Sequence, residues 1–179
     1  MCGRFVNDLD WTSLLASLGV DVERLEGFSV EASWNVGPMS PSVIVRESEG
    51  AREVAHARWG LVPGWATDDA IGAKMFNARA ETVREKPSFR SAFERRRCVV
   101  PMGGFYEWKT EGRDKQPWFV SRADGGALLC AGLWEYWEGP GVGAQQRPVP
   151  PNTPTARRTT TPRRPHATRT RAACRAPPS

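Results

Sequence analysis

Gly103-Gly104-Phe105-Tyr106-Glu107-Trp108-Lys109 alternates without a break. Successive side chains of an extended chain point to opposite faces, so Phe105, Glu107 and Lys109 share one face and Tyr106 and Trp108 the other. Glu111-Gly112 then marks a turn, and residues 118–122 form a further β-like run. The same texture extends outward in both directions. Residues 42–46, 52–59, 98–101 and 127–137 are short apolar or alternating runs, punctuated by Glu49-Gly50 and Asp124-Gly125-Gly126. Helical periodicity is sparse. Trp11, Leu14, Leu15 and Leu18 fall at i, i+3, i+4 and i+7 and predict one short amphipathic helix that Gly19 ends. Residues 88–97 read as a second, with Pro87 at or near its first turn and Phe89 and Phe93 on one face. There is no βαβ alternation and no internal repeat. The expected class is α+β, mainly an antiparallel, curved or barrel-like β-sheet with a few short helices.

Composition divides the chain. Residues 139–179 hold no Asp, Glu or Lys but eight Arg, leaving 17 basic against 20 acidic residues in the first 138. All eight Trp, seven Phe and two Tyr also precede residue 139. The expectation is a Trp-rich domain over residues 1–138, followed by a Pro/Arg-rich tail over 139–179. Such a tail buries too little apolar surface to offset its ordering entropy, so disorder is expected there. No apolar stretch reaches membrane-spanning length and no signal-peptide core is present. Four cysteines (Cys2, Cys98, Cys130, Cys174) show no metal-like spacing, and a cytoplasmic protein with reduced thiols is expected. With His56 and His166 as the only histidines, neither a zinc site nor a His-based triad is expected; metal and cofactors are read as none.

The start of the chain carries distinctive chemistry. Removal of Met1 from Met1-Cys2-Gly3-Arg4-Phe5 would leave Cys2 with a free α-amine and a thiol on adjacent carbons. The α-amine has a reference pKa of about 7.7–8.0, far below a lysine's, and is largely available near neutrality. It can attack an aldehyde to give an imine. The thiol can then close on the imine carbon as a thiazolidine, gaining the effective-molarity advantage of a tethered reactant. An arbitrary second residue at a frayed terminus is the ordinary alternative.

Other segments are dense in unusual residues. Asn35-Val36-Gly37-Pro38 reads as a turn. Trp59-Gly60-Leu61-Val62-Pro63-Gly64-Trp65 places two Trp around a Pro-Gly turn, and Asn77-Ala78-Arg79-Ala80-Glu81-Thr82 is a polar cluster. Glu107 is flanked by aromatics. A desolvated carboxylate there would have a raised pKa and could shuttle protons; a solvated strand residue is the plainer reading.

In this order, the motifs resemble the SRAP domain, the SOS response-associated peptidase-like proteins that sense abasic sites in DNA. The resemblance rests on Cys2-Gly3-Arg4-Phe5, 35–38, 59–65, 77–82, 98–101 and 105–109, followed by Gln116-Pro117-Trp118-Phe119, and covers about residues 2–137. It implies a single α+β domain with a positive groove for single-stranded DNA. It also implies an N-terminal cysteine that joins the ring-opened abasic aldehyde as a thiazolidine crosslink. Carried over by motif, Cys2 is the nucleophile, Asn77 orients the sugar and Glu107 shuttles protons. Arg4, Asn35, Arg79 and Arg90 are candidates for phosphate contacts, and Pro38 and Trp65 for contacts with bases or sugars.

The resemblance stops at the composition break. Family members continue into a further strand and a histidine followed by an Arg-Met-Pro-like motif. His166 lies in Pro165-His166-Ala167 and does not take that role. A frameshifted C-terminal segment is therefore expected. Ala172-Ala173-Cys174-Arg175 can be encoded so that a neighbouring frame reads Arg-Met-Pro, and a genuine low-complexity tail is the alternative. The partner expected is single-stranded DNA containing abasic sites, with no membrane and no metal. The protein is expected to act as a monomer, cytoplasmic and nucleoid-associated when bound. Two other functions stand beside this one. One is a cysteine-dependent peptidase, including self-removal of Met1. The other is an inactive truncated copy that only binds nucleic acid, through the arginine-rich tail.

Overall fold

A computed structural model of the chain describes residues 3–25, 27–139, 148–149 and 153–154. Cys2, His166 and the codons around Cys174 lie outside the described residues, as does most of the 139–179 segment.

The alternating stretch forms β7 (Gly104–Glu111), which turns back into β8 (Asp114–Val120) with Phe105 opposite Val120 and Glu107 opposite Trp118. On its other side β7 pairs with β1 (Arg4–Asn7), and β1 pairs with β2 (Ser33–Val36). This gives one antiparallel sheet in the order β2-β1-β7-β8. The second is β4-β3-β6-β9, built from β3 (Pro41–Ser48), β4 (Ala51–Arg58), β6 (Arg97–Met102) and β9 (Leu128–Leu133). Glu49 and Gly50, at φ 51° and 78°, make the two-residue turn between β3 and β4. Positive φ at both central residues matches the twist of a tight hairpin.

The α+β class with antiparallel sheets holds, but the sheets do not close into a barrel. The chain steps from β6 to β7 through Gly103 alone and thereby changes layer. A side chain at Gly104 would meet the Phe119 ring at 2.4 Å, so this corner requires glycine. Inward-facing residues of both sheets then bury one another. Phe5 and Val36 from the first meet Ile44, Ala57, Cys98 and Val100 from the second. Full burial of such a side chain contributes about 1.5–3 kcal/mol, which makes the two-layer arrangement favourable without closure.

Two helices cover the flanks. In α1 (Trp11–Ser17) the Asp10 carboxylate accepts from the Ser13 N–H at 3.2 Å. Gly19, at φ 70°, closes the other end, with Gly19 and Val20 donating to Ala16 and Leu15 carbonyls. This is a Schellman stop, and Leu15, Val20 and Val45 pack beneath it. In α2 (Pro87–Arg95) Pro87 takes the first turn, and Phe89 and Ala92 pack on Leu61, Ala78 and Leu133. Four short strands form two further pairs among the described residues. β10 (Glu135–Tyr136) pairs with β11 (Pro148–Val149), and β12 (Thr153–Pro154) pairs in parallel with β5 (Asn77–Ala78). No helix among the described residues is long and apolar enough to cross a membrane.

Candidate functional site

Trp59 organises the region where the singled-out residues meet. Its ring is buried, lies 5.3 Å from Phe5 and 5.8 Å from Phe76, and its indole N–H donates to the Phe76 carbonyl at 2.7 Å. Phe105 packs against the same cluster. Asn77 follows Phe76 directly, and Glu107 stands two residues beyond Phe105 on the same face of β7. Both are half-buried. The cluster therefore holds the roots of both polar side chains and of β1 in one place.

The 59–65 segment is pinned and then released. The Trp59 N–H donates to Ser40, the Met39 N–H donates to Trp59 at 2.6 Å, and the Leu61 N–H donates to Met75. Gly60 adopts φ 138°, and a Cβ there would stand 2.5 Å from the Gly72 carbonyl oxygen. Only glycine permits that backbone approach. Leu61, Val62 and Pro63 are buried, whereas Trp65 beyond them is 63% exposed. A large apolar ring displayed by a rigid segment is a platform for a flat ligand.

Arg4, Asn35 and Pro38 gather at one end of the first sheet. The Arg4 guanidinium donates to Asn35 Oδ1 at 3.2 Å and lies over Gly37, where a Cβ would sit 2.8 Å from Nη1. The stretch read as a turn is in fact split. Asn35 and Val36 belong to β2, because Val36 pairs with Phe5 and buries its side chain. The turn runs from Gly37 to Ser40, whose N–H donates to Gly37 at 3.1 Å, with Pro38 second and Met39 at φ 68°. Arg4 is opposite Tyr106 and so shares its face; Glu107, one residue on, faces the other way. Arg4 is instead tied to the β2 end of the sheet, through Asn35 and Gly37.

Arg79 is exposed two residues after Asn77, in a turn closed by the Thr82 N–H donating to its carbonyl at 3.1 Å. Arg90 is exposed on α2, whose packing through Phe89 and Ala92 is its link to this region. Two exposed rings were not among the candidate site residues: Trp34 (61%), next to Asn35, and Trp108 (46%), next to Glu107. Alternation signalled Trp108, but the irregular β1–β2 pairing concealed Trp34. Of the thiols among the described residues, Cys98 is buried and Cys130 partly so; burial pushes the Cys98 thiol well up and raises that of Cys130, away from thiolate chemistry. Among the described residues no group of three or more His, Cys, Asp or Glu could hold a metal ion.

Comparison with known proteins adds a family, two relatives and a solved structure. The family described as SOS response associated peptidase (SRAP) matches residues 1–160. The abasic site processing protein YoqW of Bacillus subtilis (strain 168) is 37% identical over 141 residues, 78% of this chain and 62% of that protein. The abasic site processing protein YedK of Escherichia coli (strain K12) is 32% identical over 135 residues, 74% of this chain and 59% of its own length. The chain thus spans about three fifths of the length of these relatives. A crystal structure of a protein from Bacteroides thetaiotaomicron superposes with a TM-score of 0.67 at 26% identity, covering 83% of this chain and 66% of that one.

Proposed function

Because the chain belongs to the SOS response associated peptidase family, we propose that it processes abasic sites in DNA by covalent capture through Cys2. Relatives bearing the name abasic site processing protein support this reading. The observation that carries it is the attachment of Asn77, Glu107 and the start of the chain to one aromatic cluster, with Arg4, Asn35 and Pro38 at its rim. In the β1–β7 register each step back toward the N-terminus is one step forward along β7, toward Glu107.

The reaction balances without an oxidant. After Met1 is removed, the Cys2 α-amine adds to the aldehyde of the ring-opened sugar and one water leaves as the imine forms. The thiol then adds across the C=N bond; a C–S bond forms and the thiol proton goes to nitrogen. Glu107 carries protons in both steps, because a carboxylate can accept from the ammonium and return the proton to the departing hydroxyl. Asn77 holds the sugar by amide hydrogen bonds. Arg4, Asn35, Arg79 and Arg90 meet phosphates, and Trp65 and Pro38 lie against neighbouring bases or sugars. The protein works as a monomer on single strands, and the 139–179 tail adds nonspecific affinity for polyanions.

The test is a denaturing gel of the mature protein after incubation with single-stranded DNA carrying one abasic site. A heat- and detergent-stable shifted band is expected, and blocking the N-terminus with a tag should remove it. A peptidase acting through the thiol alone would survive the tag, and tail-mediated binding would not depend on the lesion. A band of full strength from the blocked protein contradicts the proposal.

A further inference from the structure

A cleft of about 540 Å³ opens where the edge strand β2 diverges from the β3–β4 hairpin. Its polar lining combines the amides of Asn7 and Asn35, the hydroxyls of Ser33 and Ser42, the His56 imidazole and one acidic residue, Glu31. Val36 and Val43 supply an apolar floor. Among the described residues that line it there is no Lys or Arg. Asn7 is 6% exposed; its amide donates to the Glu31 carbonyl at a long 3.5 Å, and its Oδ1 is a buried acceptor without a donor. Leaving such an acceptor unsatisfied costs about 1–3 kcal/mol, which a ligand N–H reaching the amide would recover. His56 is backed by Phe28 at 5.0 Å, which holds its ring at the edge of the cleft.

We infer that this cleft receives one unpaired nucleobase of the strand being processed, from a nucleotide adjoining the abasic one. The inference rests on the DNA reading above. Asn35 links the two regions, since it lines the cleft and accepts from Arg4, the phosphate-seeking cation at the rim. Charge then sorts the parts of the nucleotide: the phosphate stays with the guanidinium, and the uncharged base enters a space with amides, hydroxyls, an imidazole and the acidic Glu31, which repels phosphate, but no guanidinium or ammonium. Base edges present N–H donors and carbonyl or ring-nitrogen acceptors, which such groups match, and the Val36–Val43 floor covers the flat apolar face. The volume accommodates a purine or a pyrimidine within the 300–1,000 Å³ range typical of small-ligand sites.

Two measurements test this. In the first, free 2′-deoxynucleosides are titrated into the protein while the Asn7 side-chain amide and the His56 ring are followed by NMR, with 2-deoxyribose 5-phosphate as the baseless control. Saturable shifts are expected from nucleosides, with affinity on the order of millimolar for so small a ligand, and none from the sugar phosphate. Ser33→Phe, which fills the cleft from the sheet edge, and His56→Ala should each weaken the response. Unmoved signals, or equal movement by the sugar phosphate, overturn the inference. In the second, abasic single strands carry a baseless tetrahydrofuran unit at one neighbour of the lesion at a time. Their affinity is read by anisotropy with Cys2→Ala protein, so that crosslinking does not enter. One position should weaken binding about tenfold in Cys2→Ala protein and not when Ser33→Phe is added. If no neighbour matters, the cleft holds no base. Loss of the stable adduct on the denaturing gel would instead reject the crosslinking reading alone.

Discussion

The indole N–H of Trp59 donates to the carbonyl oxygen of Phe76 at 2.7 Å, fixing the residue that immediately precedes Asn77. Trp59 also packs on Phe5 of β1, so one side chain joins the strand that starts the chain to the segment that supplies Asn77. Trp59→Phe keeps much of the packing and removes the donor. It should cost about 1–3 kcal/mol of stability through the stranded carbonyl. The crosslinking rate should fall more than DNA affinity does, as shown by urea unfolding alongside single-turnover capture. Equal losses in both would mean that Trp59 serves the fold alone.

Gly60 and Gly64 make a matched pair. Gly60 has φ 138° and faces the Gly72 carbonyl at 2.5 Å from an added Cβ, whereas nothing lies within 4 Å of Gly64. Gly60→Ala should destabilise by about 2 kcal/mol or more, since backbone on both sides must shift. Gly64→Ala should stay within about 0.5 kcal/mol. Thermal melts followed by circular dichroism separate the two.

Arg4 is exposed at the sheet end and bonded to Asn35. If it meets a phosphate, Arg4→Ala should reduce the magnitude of the salt slope of single-strand binding by about 0.7, whatever the sequence. Titrations at several salt concentrations measure this, and an unchanged slope would remove Arg4 from the interface. Arg157, Arg158, Arg163 and Arg164 changed together to Ala should instead lower affinity for intact duplex while sparing lesion capture.

Stability should fall at alkaline pH. Burial pushes the Cys98 thiol above its ordinary value, with the Arg46 charge opposing more weakly. The folded state keeps the proton that the unfolded chain begins to release near pH 8.5. The contribution of Cys98 is therefore complete below that pH and lost as the pH rises beyond it. The melting temperature should drop between pH 8 and pH 10, and Cys98→Ala should show a smaller drop. Equal pH dependence in both proteins would place the titrating group elsewhere.

Much of this architecture was legible because period-2 alternation survives in single segments. The β7–β8 hairpin, the β3–β4 hairpin around Glu49-Gly50 and α1 with its Gly19 stop all lie close to where their residues predict. Ends were less accurate: the run read at 118–122 is Asp114–Val120, since polar Asp114, Lys115 and Gln116 are drawn into the ladder by pairing with Glu111, Thr110 and Lys109. Strands β1 and β2 carried little signal, because each is four residues long and their pairing is irregular between Phe5 and Asn7. The turn at Met39 was unreadable for a different reason. A positive φ is announced by Gly or Asn, and Met carries no such mark. For the site, local motifs selected Asn77 and Glu107, but the Trp59–Phe76 link is a long-range packing fact that no local pattern encodes.

The most direct test of covalent capture at Cys2 is mass spectrometry of the protease-digested adduct formed with abasic single-stranded DNA. The account predicts that the modified peptide begins at Cys2 and carries the sugar with one water lost. It should have neither a free α-amine nor a titratable thiol, and Glu107→Gln and Asn77→Ala should form the same species more slowly. An adduct on any internal residue, or a Cys2 peptide that still reacts as a free thiol, would contradict it.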